Sequence, residues 1–465
     1  MRILLGFTEL NQKFGPLGFQ HGLASISAVL KQHGFRDIHL AHFTAEAHLR
    51  QWPDTLARLR PEVVGFYTTA EQFPYVRNLI QRVPPGIFTI LGGAHPTCYP
   101  ECIEKIPRLD ALCVGEGEYA MLELVQTLAA GRDPGGIRSL WVRRNGTIIR
   151  NPVRPFIEHL DELPYEDLEL FNAQEQIDKY GMAQIRMLTS RGCPYQCTYC
   201  SNKRLSESQP GRYVRYRSAA HVLGELNELN RRYRFREVMF DDDIFMMNKA
   251  VLGEFCERYP REIGKPFVFC GRVEMCNPDM LARLRAAGGR RIDFGVESGN
   301  EELRRNLLKR SMSNQAILEA CRMARAAGLQ VKTLNMVGLP DETPEQHLDT
   351  VAINQAINPD VVSIFTFCPY PGTELYDYCL AKGYYTPSDE LPKGYVARRD
   401  TLLNMPQFPP QAIQRCFRRF GFRVYRRHSL IKALGYTVIQ SRHGEFFLAL
   451  TRPFRRLLRR LLKGF

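Results

Sequence analysis

Cys193, Cys197 and Cys200 stand in "RGCPYQCTYC", residues 191 to 200, in the pattern C-x3-C-x2-C with Tyr199 just before the last thiol. A closed zinc site needs four ligands, and after Cys200 no further Cys or His follows until His221. Three thiolates on one loop can instead take three corners of an iron–sulfur cluster, which leaves one iron open to another ligand. The other ten of the 13 cysteines form no second tight pattern. Cys98 and Cys102 are expected to be loop or core thiols. Cys368, at a strand end in "FTFCPYPGT", is the one remaining candidate for a reactive thiol. Thiol or metal chemistry in a reducing compartment suits this usage better than a disulfide framework.

A loop of this kind needs a strand before it, and "IRMLTS" reads as that strand. From about residue 184 the chain alternates strand and helix. Helices over 219–233, 249–259, 278–287, 314–327 and 344–357 precede the apolar runs "EVMFDDD", "FVFCGR", "RIDFGVES", "VKTLNMVGLP" and "VVSIFTFCPYPGT". Six strand–helix units are too few for a closed eightfold barrel and enough for a partial (β/α)6 one. Its chemistry is expected just after the strands.

Residues 1 to about 130 alternate in the same way. "ILLGF" is a buried-type strand, and "LASISAVLKQHGF" puts Leu23, Ile26, Val29 and Leu30 on one helical face with Gly34 as its stop. "DIHLAHF", "PEVVGFY", "FTILGGAHPT" and "ALCVGEGE" follow as strands. The expected fold is α/β, with a doubly wound, Rossmann-like parallel sheet at the N-terminus. Ligands on such sheets bind at the C-terminal strand ends. Those ends carry Tyr67, Thr68 and Thr69, then Gly92, Gly93 and His95, then Gly115 and Glu116. Asn145-Gly146 between alternating runs predicts a hairpin, and "NPVRPFIEHLDELPYEDL" reads as a linker. The expected divisions are therefore 1–135, a hairpin and linker over 136–183, the partial barrel over 184–390, and a basic, mainly helical region over 391–465.

The net charge is +14, and residues 411–465 hold 14 Lys and Arg against Glu445 alone. "FRRLLRRLLKGF" sets Phe454, Leu457, Leu458, Leu461, Leu462 and Phe465 on one helical face, with arginines opposite. Such a helix suits peripheral membrane association or docking on the protein itself. Nucleic acid is not expected, because the region lacks aromatic stacking platforms. With no apolar run of about 18 residues and no signal-peptide pattern in "MRILLGFTEL", the expected location is cytoplasmic, with the tail directing it toward the inner face of the membrane.

The segment "CPYQCTYC" after a strand of a partial barrel resembles the radical S-adenosylmethionine (radical SAM) superfamily. That resemblance implies a [4Fe–4S] cluster on Cys193, Cys197 and Cys200, whose open iron chelates S-adenosyl-L-methionine. It also implies reductive cleavage to a 5′-deoxyadenosyl radical, and so an external electron donor such as flavodoxin or ferredoxin. Tyr199 would lie beside the adenine. Gly338 and Pro340 in "VGLPDET" match the late Gly-x-Pro motif that passes the adenine. Glu297 in "GVES", Asp242 and Asp243 in "FDDDIF" and Arg272 in "FCGR" are implied SAM contacts.

The preceding domain, with "GFYTT", "ILGGAHPT" and "VGEGE", resembles that of the cobalamin-binding subgroup over roughly residues 1 to 390. It implies cobalamin held by Tyr67, Thr68, Thr69, Gly92, Gly93, His95, Gly115 and Glu116. The Asp-x-His-x-x-Gly motif of corrinoid carriers is missing, since His21 in "GFQHGLAS" is not in that frame. The implied activity is cobalamin-dependent methylation of an unactivated carbon in a small molecule, for which a hydrophobic substrate would suit the tail. A cyclase or ring-modifying oxidoreductase without methyl transfer is the alternative. A corrinoid-binding sensor or scaffold is the alternative of another class.

Overall fold

Ile3–Thr8 (β1) is buried along its whole length. Ile3 and Leu5 belong to one apolar cluster and Leu4 to another, on opposite faces of the pleat. A strand buried on both faces belongs inside a parallel sheet covered by helices. The computed structural model describes residues 1–11, 18–179, 183–245, 247–388 and 395–441. In it β1 pairs in parallel with Ile38–Phe43 (β2) and Val63–Tyr67 (β3). Phe88–Gly92 (β4) and Ala111–Cys113 (β5) extend the row in parallel. Leu140–Arg144 (β6) and Thr147–Arg150 (β7) finish it antiparallel, in the order β2-β1-β3-β4-β5-β6-β7. The Asn145-Gly146 hairpin therefore joins the edge of the first sheet. Both turn residues have positive φ, 49° and 80°, as the tight hairpin turn requires. The strand order reverses between β1 and β3, so the crevice for a ligand opens at their C-terminal ends.

Gln184–Met187 (β8) begins the second sheet. Next comes a small ribbon, Ser190–Arg191 (β9) paired with Arg215–Tyr216 (β10), which flanks the cysteine loop. Glu237–Phe240 (β11), Phe267–Gly271 (β12), Gly289–Glu297 (β13), Gln330–Val337 (β14) and Val361–Thr366 (β15) complete a six-stranded sheet. Its order, β15-β14-β13-β12-β11-β8, follows the chain. Every pairing is parallel, which makes it a section of a barrel. Each strand-to-helix loop ends on a residue whose side chain accepts a backbone N–H of the next helix: Ser218, Asn248, Asn277, Ser313, Thr343 and Thr373. These caps stop the loops at defined points, and the site is built from the loops.

One apolar cluster runs from Ile3 through Phe171 to Phe294 and Ile357, so the two sheets share a core. Helices Pro410–Tyr425 and Leu430–Ile439 pack Phe417, Phe420, Tyr425 and Tyr436 against Val362 and Ile364 of β15. The amphipathic run over 454–465 lies outside the described residues. Among the described residues no helix is long and apolar enough to cross a membrane.

Candidate functional site

A cavity of about 510 Å³ opens between the C-terminal edge of the first sheet and the cysteine loop. Tyr67, Gly92, Gly93, Gly115 and Glu116 line one wall, and Ser190, Arg191, Gly192, Asn202, Tyr213 and Asp243 line the other. Its volume falls within the range of about 300–1,000 Å³ usual for ligand clefts. The glycine wall is a cradle. A Cβ on Gly92 would meet nothing nearer than Cys113 at 3.8 Å, so the bare backbone there leaves room for a ligand. Gly93 has φ +112°, and a Cβ would sit 2.8 Å from the Thr68 carbonyl oxygen. Only glycine is comfortable there.

Across the cavity, Gly192 has φ +88°, and a Cβ would clash with the Tyr213 carbonyl at 2.6 Å. This turn launches the loop that carries the thiols. Cys200 N–H donates to Cys197 O at 3.0 Å, and Asn202 Nδ2 lies 3.4 Å from Cys200 Sγ. Burial pushes the Cys193 thiol up to about 11 and raises that of Cys200. Cys197 is buried between two guanidiniums, with Arg272 Nη1 at 3.9 Å and Arg310 Nη1 at 3.7 Å from its sulfur. Both guanidiniums are placed to donate to this sulfur. Among the described residues no three His, Cys, Asp or Glu side chains converge closely enough to hold a single metal ion.

Glu297 reaches this centre through a bulge. The register of β13 on β14 shifts between Gly295 and Glu297, and Glu297 has φ 63°. A bulge re-aims a side chain out of the strand alternation. Burial raises the Glu297 carboxyl, while Arg310 and a hydrogen bond with Tyr199 pull it down. Arg310 Nη1 lies 3.4 Å from the Tyr199 hydroxyl, and Nη2 donates to Gly295 O at 2.5 Å. Arg310, Glu297, Tyr199 and Cys197 thus form one buried polar knot. Arg272 stacks on Tyr195 at 3.6 Å and pairs with Glu274 at 2.6 Å. Sequence reasoning missed Arg310. It follows no strand end and belongs to no motif, so nothing in the chain announces it.

Several expected ligand contacts are engaged elsewhere. Asp242 is 1% exposed, and its Oδ1 accepts from the Thr189 hydroxyl at 2.8 Å, from Thr189 N–H at 3.1 Å and from the Ser190 hydroxyl. It braces the strand end before the cysteines and does not face the cavity, whereas Asp243 does. Asp242→Ala is expected to cost about 2–4 kcal/mol, because three donors lose their acceptor; urea unfolding measures it. His95 is 6% exposed and tilts against Phe73 at 4.4 Å with neither ring nitrogen paired. Burial holds its pKa down to about 4. Thr68 is fully buried, with its hydroxyl on the Thr69 carbonyl at 2.9 Å, and neither residue lines the cavity. Gly338 packs toward helix Pro410–Tyr425, where a Cβ would meet Ile413 at 3.0 Å, and Pro340 is buried. Glu342 accepts the N–H groups of Gly338 and Leu339 at 2.7 and 3.1 Å.

Glu116 lines the cavity, yet its carboxylate is saturated by the protein. Arg191 Nη1 donates to Oε1 at 2.8 Å, Arg215 Nη1 to Oε2 at 2.9 Å, and Ile157 N–H to Oε2 at 2.8 Å. Burial acts to raise this carboxyl, and Arg191 and Arg215 outweigh it, so it sits below the usual range. Arg191 also reaches Glu118 at 2.6 Å. The pair ties the ribbon before the cysteines to the first sheet. His21, also in the cavity wall, joins Glu166 at 2.8 Å and Asp241 at 3.2 Å. Burial would lower its pKa, and the two carboxylates raise it to about 10. His21 is thus a charged bridge between the two sheets.

Residues 187–352 match the radical SAM superfamily, and residues 10–125 match the B12 binding domain. The chain is 28% identical over 394 residues to "Uncharacterized methyltransferase PH0819" of Pyrococcus horikoshii, covering 82% of this chain and 83% of that protein. It is 25% identical over 367 residues to the anaerobic magnesium-protoporphyrin IX monomethyl ester cyclase of Rubrivivax gelatinosus, covering 76% of this chain and 65% of that one. The solved structure of the radical S-adenosylmethionine methyltransferase TsrM from Kitasatospora setae aligns with a TM-score of 0.64. That alignment has 18% identity and covers 83% of this chain and 78% of that chain, a likeness of fold.

Proposed function

We propose that this chain, which belongs to the cobalamin-binding radical SAM enzymes, is a methyltransferase acting on an unactivated carbon of a small molecule. Its cofactors are a [4Fe–4S] cluster, S-adenosyl-L-methionine and cobalamin. Together these supply reductive cleavage of SAM to an adenosyl radical and a methyl group carried on cobalt. The observation that carries this reading is a cavity with the glycine cradle on one wall and, on the other, Gly192, Ser201 and Asn202, which flank the thiol loop.

In this reading Cys193, Cys197 and Cys200 hold the cluster. Arg272 and Arg310 offset the negative charge gathered at Cys197. Glu297 and Tyr199 present an acceptor and an aromatic face beside them, suited to the amino and adenine ends of SAM. Tyr67, Gly92, Gly93 and Gly115 form the floor for the corrinoid. An external donor of the flavodoxin or ferredoxin kind supplies the electron. A ring-forming reaction without methyl transfer is the second reading, favoured by the likeness to the Rubrivivax cyclase.

The test is anaerobic reconstitution with iron, sulfide and cobalamin, followed by measurement of bound corrinoid and of 5′-deoxyadenosine formed under reduction. Both signals are expected. Methyl-labelled SAM then separates the readings, because label in the product requires methyl transfer. Gly92→Leu fills the cradle without backbone strain. It is expected to lower bound corrinoid at least tenfold, about 1.4 kcal/mol of binding, while deoxyadenosine formation persists. Full corrinoid retention in Gly92→Leu would move the corrinoid site elsewhere.

A further inference from the structure

Among the described residues, seven large hydrophobic side chains are exposed, and four of them sit on one helix, Leu430–Ile439. They are Leu430 at 59%, Ile431 at 70%, Leu434 at 53% and Val438 at 44% exposure. Leu430, Leu434 and Val438 recur at i, i+4 and i+8, with Ile431 beside the first, so they make one stripe. The opposite face is anchored. Ala433 and Tyr436 are buried, Tyr436 packs on Gly421, and Lys432 Nζ donates inward to the carbonyls of Pro359 and Asp360 at 3.1 and 2.7 Å. The helix is therefore held rigidly with its apolar stripe outward. Exposed apolar residues are usually scattered, and a concentrated stripe marks a binding surface.

The charge around the stripe selects the occupant. From Thr401 to Ser441 the chain has no Asp or Glu. Arg426 and Arg427 are exposed in the turn before this helix, three to five residues ahead of Leu430 and Ile431. Arg415, Arg418 and Arg419 are exposed on the preceding helix, and Arg418 lies one turn from Gly421, where the two helices touch. The exposed charges that this helix pair itself carries are all cationic, and an apolar stripe beside them is matched by a surface with an apolar interior and anionic headgroups. A second copy of the chain would bring arginine against arginine.

We propose that the Pro410–Ile439 helix pair docks this protein on the surface of an anionic lipid bilayer, with Ile431 and Leu434 inserted at the headgroup boundary. The active-site cavity lies between the two sheets, so docking through the C-terminal pair leaves the site and its chemistry unaltered. The inference stands apart from the reaction proposed above.

Co-sedimentation of the full chain with phosphatidylcholine vesicles, with and without phosphatidylglycerol, tests it. Binding is expected only with phosphatidylglycerol, and it should weaken as salt rises. Ile431→Ser/Leu434→Ser is expected to reduce partitioning at least about tenfold, since two exposed side chains lose their apolar transfer energy. Both substitutions are at exposed positions, so reductive SAM cleavage by the variant should match the unaltered protein. Equal binding to both vesicle types, no binding to either, or a variant that partitions like the unaltered protein would each overturn the proposal. So would a dimer in solution that the same two substitutions dissolve and that does not bind vesicles.

Discussion

Cys197→Ala, purified and reconstituted anaerobically, should hold iron near the background level and yield no 5′-deoxyadenosine above a no-enzyme control. The sulfur of Cys197 is the one thiol of the triad that is buried, and it is the one flanked by two guanidiniums. Removing it takes away a ligand and leaves Arg272 and Arg310 facing an apolar methyl. The fold should survive, because a buried Cys→Ala change usually costs only about 1 kcal/mol. Circular dichroism and the urea midpoint check this. Cys321→Ala is the matched control. Cys321 is also buried, among Ile317, Ala320 and Ala324 behind the barrel sheet, and should keep both iron and nucleoside yield. If Cys197→Ala binds a full complement of iron and cleaves SAM, the cluster does not rest on this loop.

Much of the scaffold could be read from periodicity, because the first five strands of one sheet and all six of the other pair in parallel. Their strands are then short apolar runs separated by helical ones, as "ILLGF" and "VVSIFT" show. The helix expected over 344–357 spans Pro344–Ile357, where Thr343 and Gln346 form a reciprocal cap. The Asn145-Gly146 turn announced a hairpin but not its partner. Its pairing with β5 depends on contacts distant in sequence.

The site was less legible, for the same reason. Strand-end residues were expected to face a ligand. At β13 a bulge does aim Glu297 at Tyr199. At β11 the three successive acids divide: Asp241 pairs with His21 and Arg186, Asp242 turns inward to Thr189, and Asp243 meets the cavity. Alternation along an extended chain sends neighbours to opposite sides, and the sequence "FDDDIF" does not say which side faces which. Charged residues that join the two sheets were invisible. Arg191 and Glu116 are 75 positions apart, and Glu116 looked like a cofactor ligand because it ends a strand in a Gly-Glu-Gly turn.

Arg191→Met should be the most disruptive single change to the docking of the two sheets. Arg191 is the last residue of β9, one glycine before Cys193, and it grips Glu116 and Glu118 on the first domain. Glu118 is 3% exposed, and among the described residues it keeps only the Ser25 hydroxyl at 2.8 Å without Arg191. Glu116 retains Arg215. Leaving one buried carboxylate unpaired costs about 3–5 kcal/mol, a large part of a total stability of about 5–15 kcal/mol. The loss should also reach the chemistry. The thiol loop would then lose its nearest grip on the wall that carries the glycine cradle, leaving Arg215 and Gln209 on Glu116 to hold that side. Bound corrinoid and nucleoside yield should both fall, with cluster content largely kept. Adding Glu118→Gln removes the stranded charge, so the double variant should recover at least about half of the lost stability. Its nucleoside yield should stay low, because the Arg191 tie between the walls is still missing. A loss below about 1 kcal/mol in Arg191→Met would show that Arg215 and the shared core hold the two sheets together without it.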